Sequence, residues 1–210
     1  MELSDIRLAS SAPVVSSDWT ERLPTLSAGH VTLRELRLSD ASSLLTMLTS
    51  EEMARFISRP PTTIEAFEQF IIWAHSERAA GRYLCFAVVP KGYSTAIGIF
   101  QVQQREAGFA TAEWGFAIGS AFWGTGLFAT SAAMVLDFVF EVVGVRRVEA
   151  RSAVQNGRGN GALRKLGAVC EGTTRRSVVC NGELLDQHLW SILDTEWRHE
   201  RSESRFVTVH

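Results

Sequence analysis

Cysteine is scarce in this sequence. Three residues, Cys85, Cys170 and Cys180, form no C-x-x-C pair and no zinc spacing. An odd and scattered set gives no reason to expect a disulfide framework and reads as ordinary thiols. His30, His75, His188, His199 and His210 show no H-E-x-x-H or related ligand spacing, so no metal is expected. There is no G-x-S-x-G nucleophile elbow and no Walker A lysine motif. A long charge-free apolar run is also missing. The most apolar stretch, 127–145, is broken by Thr130, Ser131, Asp137, Glu141 and Gly144, so no membrane role is expected. An excess of either charge is absent, with Lys and Arg totalling 21 against 23 Asp and Glu, a net charge of −2. That balance argues against direct nucleic-acid binding or a polybasic membrane contact. Glu2 and Asp5 stand where a signal peptide carries basic residues, which leaves a cytoplasmic address as the expectation.

The chain has 210 residues, 46% of them hydrophobic, which suits one domain with a buried core. Residues 1–29 are rich in Ser, Ala, Pro and Thr without a sustained period and read as an irregular lead-in. The domain is expected over 30–198, with a tail over 199–210. Val31 and Leu33 alternate with Thr32 and Arg34 as in a half-buried strand. Ser39 and Asp40 offer N-caps for a helix whose Leu44, Leu45 and Leu48 share a face. After Pro60-Pro61, the run Thr62 to Glu65 matches a capping box, and Phe67, Phe70, Ile71 and Ala74 follow at helical spacing up to Gly81. Three strands follow, over 83–89, 96–103 and 111–119. A mostly apolar helix over 125–143 comes next, then a strand over 146–152 and a short helix over 160–166. Asn181-Gly182 closes a hairpin between 178–180 and 183–193. The element order gives a mixed α+β domain: a central, mostly antiparallel twisted sheet flanked by helices.

Chemistry concentrates in 113–129. Along the strand Trp114, Phe116 and Ile118 point one way, while Glu113, Gly115, Ala117 and Gly119 point the other. The second face is small apart from one carboxylate, so a ligand can lie near the backbone with an acid beside it. Gly124-Thr125-Gly126 then opens the long helix. Its first turn carries no Asp or Glu, leaving unpaired N–H groups and the positive dipole end for an external anion. The same residues read G-x-G-x-x-A. A dinucleotide fold is disfavoured, because one βαβ unit is present where several are needed and Ser120 to Trp123 separate strand from glycine. A second glycine-rich start, Asn156 to Gly167, reads as a loop becoming a helix, with Arg158, Arg164 and Lys165 favouring phosphates. His188 lies on one face of the last strand with Asp186 and Trp190 and reads as structural.

These residues resemble the GCN5-related N-acetyltransferases (GNAT), specifically the RimJ/RimL-like branch. The family's Q/R-x-x-G-x-G/A signature reads Ala121, Phe122, Trp123, Gly124, Thr125, Gly126, with Ala121 replacing the leading residue. The branch's N-x-x-S-x-x-x-L-x-K-x-G-F motif reads Asn156, Gly159 for Ser, Leu163, Lys165, Gly167 and Ala168 for Phe. The last hairpin, Asn181-Gly182-Glu183 through Asp186 to Trp190, is also similar. The resemblance covers about 25–197 and implies a single GNAT-like domain using acetyl-CoA. It places the CoA pyrophosphate on backbone N–H groups of Gly124, Thr125, Gly126, Leu127, Phe128 and Ala129. It pairs the pantetheine arm with Phe116, Ala117 and Ile118 and brings Asn156 and Lys165 to the cofactor. Glu113 becomes the candidate base, acting directly or through water. The wider family's acid, a Tyr on the later helix, has no counterpart, since Tyr83 and Tyr93 lie elsewhere. The implied reaction is direct N-acetyl transfer to a primary amine, either the N-terminus of a ribosomal or other protein or a small molecule. The alternative is a non-catalytic acyl-CoA-binding or sensor domain on the same fold. Either a monomer or a homodimer is compatible.

Overall fold

A computed structural model of the chain describes residues 18–50 and 61–199. The elements are β1 (Leu26–Ala28), β2 (Val31–Glu35), α1 (Ala41–Leu48), α2 (Ile64–Ala79), β3 (Tyr83–Pro90), β4 (Gly98–Gln104), β5 (Thr111–Ile118), α3 (Leu127–Phe138), β6 (Arg147–Ala153), α4 (Gly157–Lys165), β7 (Val169–Cys180) and β8 (Glu183–Leu193). They form one eight-stranded sheet ordered β1-β2-β3-β4-β5-β6-β8-β7. Every neighbouring pair is antiparallel except β5 and β6, so the α+β expectation holds.

Alternation along the strands sorts side chains to two cores. Leu84, Phe86, Val88, Phe100, Val102, Trp114, Val148 and Trp190 pack with Ala132, Val135 and Leu136 of α3. Tyr83, Cys85, Ala87, Ile99 and Ala117 pack on the opposite face against Leu44 and Leu48 of α1 and Phe67, Ile71 and Ala74 of α2. The helix spacing read from Phe67 onward therefore buries the residues it predicted, with Phe70 partly buried beside them.

Local differences have physical causes. The short strand β1 pairs with β2 inside the stretch read as irregular, and buried Leu23 precedes it. Residues 1–17, 51–60 (which include Pro60) and 200–210 lie outside the described residues. The cap of α2 is Thr63, which accepts the Ala66 N–H, one residue later than the capping box implied. Asp40 stands at the N-cap of α1, but its carboxylate bonds Arg34, Arg37 N and Ala96 N instead of capping. Helix α3 starts two residues later than expected and ends in a π-helical turn, Val139–Val143, closed by Gly144. Helix α4 starts at Gly157, not Asn160, because the Asn156 side chain accepts the Gly159 N–H and caps it despite three glycines. Strand β7 runs from Val169, far longer than the hairpin signal revealed, with irregular register between Cys170 and Gly172 and between Thr174 and Val178.

Candidate active site

The site begins where the sheet splits. Strands β5 and β6 are in register at only three pairs, Thr111 with Arg147, Ala112 with Val148 and Glu113 with Glu149. Beyond Glu113 they part. Residues 114–118 then bond β4 alone, and residues 150–153 bond β8 alone. The result is a fork open at the β5 C-terminus.

The lining of the fork follows from strand geometry. Gly119 N donates to Ile97 O on the β4 side, so alternation turns the N–H and C=O of Trp114, Phe116 and Ile118 into the fork. The Ile118 carbonyl accepts the indole N–H of Trp123 at 2.8 Å. Peptide groups left at an unpaired edge ask for a partner, and an extended chain with amides of its own supplies one as an added strand does. On the other flank, the Ala153 carbonyl is taken by Asn160 Nδ2 and Asn156 N.

Past the β5 end, a short 3-10 turn, Ser120–Phe122, leads into the glycine loop. Gly124 and Gly126 have φ of 76° and 82°, in the left-handed region that glycine enters freely. Gly126 is the N-cap of α3, no side chain caps the helix, and its first turn holds no acid. Thr125 is not the cap: its hydroxyl donates to Phe122 O at 2.7 Å. Gly124, Thr125, Gly126 and Ala129 are exposed, whereas Leu127 and Phe128 pack partly into the α3 core. The first-turn N–H groups are thus aimed outward beside the fork, which is suited to a phosphate.

Glu113 stands at the vertex, on the α1/α2 face with Gly115 and Ala117. Its carboxylate accepts from Arg151 at 2.6 Å and pairs with Arg105 at 3.2 Å. The sequence did not reveal these partners. Arg151 also reaches Glu149 at 3.4 Å, Arg147 bonds Glu149 at 2.8 Å, and Arg147 grips Glu171 with two nitrogens. Ser191 donates to Glu171 as well. Alternating charges therefore run from the fork vertex across β6 to β7. The Arg147 hydrogen bonds, aided by Ser191, hold the Glu171 carboxyl down to about 2.

The remaining candidates divide. Asn156 sits at the fork side of α4, but its carbonyl oxygen is spent on the cap. Lys165 is exposed in the last turn of α4, at the opposite end of the helix from Asn156. Arg158, in the first turn of α4, lies 4.2 Å from the Trp123 ring and links the two flanks, a contact no local motif announces. On the α1/α2 face, Tyr83 donates to Gln101 at 2.7 Å, and the Gln101 amide lies under Gly115, where a Cβ would meet it at 3.0 Å. Burial raises the Tyr83 hydroxyl and pushes the Cys85 thiol up to about 12, far from a nucleophile's range. His188 is held by Thr173 at 3.0 Å and packs edge-on to Trp190. Among the described residues no group of three His, Cys, Asp or Glu is arranged to hold a metal, and no helix is long and apolar enough to cross a membrane.

Comparison with known proteins adds an independent line. The family described as acetyltransferase (GNAT) domain matches residues 30–169. The N-acetyltransferase p20 of Bacillus licheniformis, itself uncharacterized, is 25% identical over 83% of this chain and 99% of its own length. YdaF of Bacillus subtilis, provisionally named a ribosomal N-acetyltransferase, is 23% identical over 82% of this chain and 96% of its own. The crystal structure of a ribosomal-protein-S5-alanine acetyltransferase from Vibrio fischeri superposes with a TM-score of 0.75 at 21% identity, covering 83% of this chain and 98% of that one.

Proposed function

Because the chain belongs to the GNAT acetyltransferase family, in its RimJ/RimL-like branch, we propose that it moves an acetyl group from acetyl-CoA directly to a primary amine. One observation carries the reading: an unpaired strand edge and an open helix N-terminus meet at one fork. The pantetheine amides bond the inward peptide groups of Trp114 and Phe116, and the pyrophosphate rests on the N–H groups from Gly124 to Ala129. A strand N–H at the vertex polarises the acetyl carbonyl.

The amine arrives protonated and must lose a proton before it attacks. Glu113, at the vertex, takes it in this reading, directly or through a water. Arg151 and Arg105 already occupy part of its carboxylate, so the entering ammonium competes with two guanidiniums. The attacking nitrogen forms the new C–N bond, the C–S bond breaks, and the sulfur leaves as thiolate. No acyl-enzyme is needed. The relatives' names make a peptide with N-terminal alanine the first acceptor to try, with small primary amines beside it.

The test is the melting midpoint with acetyl-CoA, CoA or NAD added separately, followed by thiol release with each amine. A ligand at about 100 times its Kd stabilises by about 2.7 kcal/mol. A shift with the CoA species and thiol release with one amine are the expected results. A shift without release from any amine favours the acyl-CoA-binding domain, a reading to which the occupied Glu113 carboxylate lends weight. No shift with either CoA species overturns both.

A further inference from the structure

Buried hydroxyls without partners are rare in a packed core, because each forgoes a hydrogen bond it had in water. Among the described residues three hydroxyls have no partner at Oγ: Ser50, half-buried just past the end of α1 and outside the fork strands, Ser131, fully buried, and Ser152, 8% exposed. Glu35 and Arg78 also carry orphan atoms, but those two side chains face each other as an ion pair. Ser131 lies in the second turn of α3, where a helical serine readily turns its hydroxyl to the carbonyl four residues back. Ser152 has no such remedy. It sits in β6 past the split, in register with His188 of β8. Alternation puts it on the α3 face with Val148 and Ala150, while Glu149 and Arg151 go to the other. Its strand forms one wall of the fork, and the opposite wall is the β5 edge that presents Trp114 and Phe116.

We propose that Ser152 is the residue that receives the departing sulfur, its hydroxyl donating to the CoA thiolate as the C–S bond breaks. This rests on the acetyl-transfer reading. It fills the role left open by the lack of a suitably placed tyrosine. The balance is complete within the reaction. The amide nitrogen sheds the proton it still carries after attack, and the sulfur gains one. Ser152 gives its hydroxyl proton to sulfur and regains one from the nitrogen side through water. The titratable neighbours on this face are His188, tied to Thr173, Asp186, which accepts the Arg176 N–H, Cys170, in register with Trp190, and Arg164, whose guanidinium lies over Trp190.

Two variants test place and role without any acceptor. Ser152→Cys is incubated with CoA disulfide and weighed intact. A thiol at this position exchanges with the disulfide, forming a protein–CoA bond and releasing one CoA thiol. The parent, which has exposed Cys170, is the control, and an adduct beyond the parent's is expected. Ser152→Ala is compared with the parent for CoA affinity as pH rises through the thiol range, about 8 to 9. The parent is expected to bind CoA more tightly by about tenfold or more as the thiolate forms, and the alanine variant is expected to lose that gain. Acetyl-CoA, which has no thiol, reports any contribution from His188 and is expected to show no difference. Absence of the adduct, or a parent-like pH trend in Ser152→Ala, while CoA still raises the parent's melting midpoint, overturns the assignment and leaves acetyl transfer standing. Failure of CoA to raise that midpoint removes the proposed function and this assignment together.

Discussion

Two arginine–carboxylate sites in this molecule have the same chemistry and different consequences. Arg34 and Asp40, with side chains 10% and 0% exposed, meet beneath α1. Both Asp40 oxygens are used, by Arg34, by Arg37 N and by Ala96 N. Arg151 and Glu113, 26% and 32% exposed, meet at the fork vertex and leave acceptor capacity free. The first pair is closed and ties β2 to the start of β4. The second is half open to water and to whatever enters the fork. Burial and saturation separate a structural ion pair from one that a substrate can rearrange.

The largest effect tests the closed site. Asp40→Ala leaves the Arg34 guanidinium buried with two backbone carbonyls, Glu35 O and Ser94 O, and no counter-charge. The expected loss is about 3–5 kcal/mol of stability, read from denaturant unfolding. Burial alone raises the Asp40 carboxyl, but the hydrogen bonds from Arg34, Arg37 N and Ala96 N outweigh it and hold it lowered. A lowered folded value means that the contribution is complete above the unfolded carboxyl range and fades as pH falls through the folded value.

At the open site the effect moves from stability to turnover. Glu113→Gln keeps the shape and removes the charge. On the proposed function, acetyl transfer falls by about 100-fold or more. Stability changes by no more than about 1 kcal/mol, since exposed pairs contribute little. A variant that unfolds like Asp40→Ala breaks the contrast. One that keeps full turnover removes Glu113 as the base.

A smaller effect is expected at the glycine loop, where no side chain carries the function. Gly126 has φ of 82° and open space where a Cβ would stand. Gly126→Ala costs about 1–2 kcal/mol locally through the left-handed backbone, not through a clash. Spent on loop geometry, that reads as about a tenfold loss of acetyl-CoA affinity by calorimetry. Unchanged affinity shows that the first-turn N–H groups do not hold the pyrophosphate.

What the sequence made legible follows the same division. The glycine loop, the acid-free first turn of α3 and the alternation of β5 are local, so spacing alone exposes them. Glu113 was visible as the carboxylate on a small-residue face. Its partners were not, because Arg105 meets it from beyond the end of β4 and Arg151 from a strand placed by a three-pair register. Glycine propensity concealed the true start of α4, since one Asn156 cap outweighs three weak helix formers. Arg158 over Trp123, and the stranded hydroxyl of Ser152, exist only once both walls of the fork are built.

The smallest effect lies at the far end of the charged ladder and decides whether the ladder is electrostatic at all. Glu171 is held at about 2 by Arg147 and then Ser191, with burial opposing. Its folded value lies below its unfolded one, about 4.3, so its contribution is present above that pH and is lost as pH falls toward 2. The side chain is 37% exposed, so solvent screens most of the interaction. Glu171→Gln should therefore lower stability at neutral pH by less than about 1 kcal/mol, and less again in high salt. The gap between parent and variant should close on acidification, as the parent's carboxyl takes up its proton and becomes as neutral as the amide. Equal melting midpoints at low pH with a small gap at neutral pH place Glu171 with Glu113, among exposed charges tuned by their partners. A gap that persists unchanged into acid shows instead that Glu171 acts through shape and hydrogen bonding, and that the outer end of the ladder is not electrostatic.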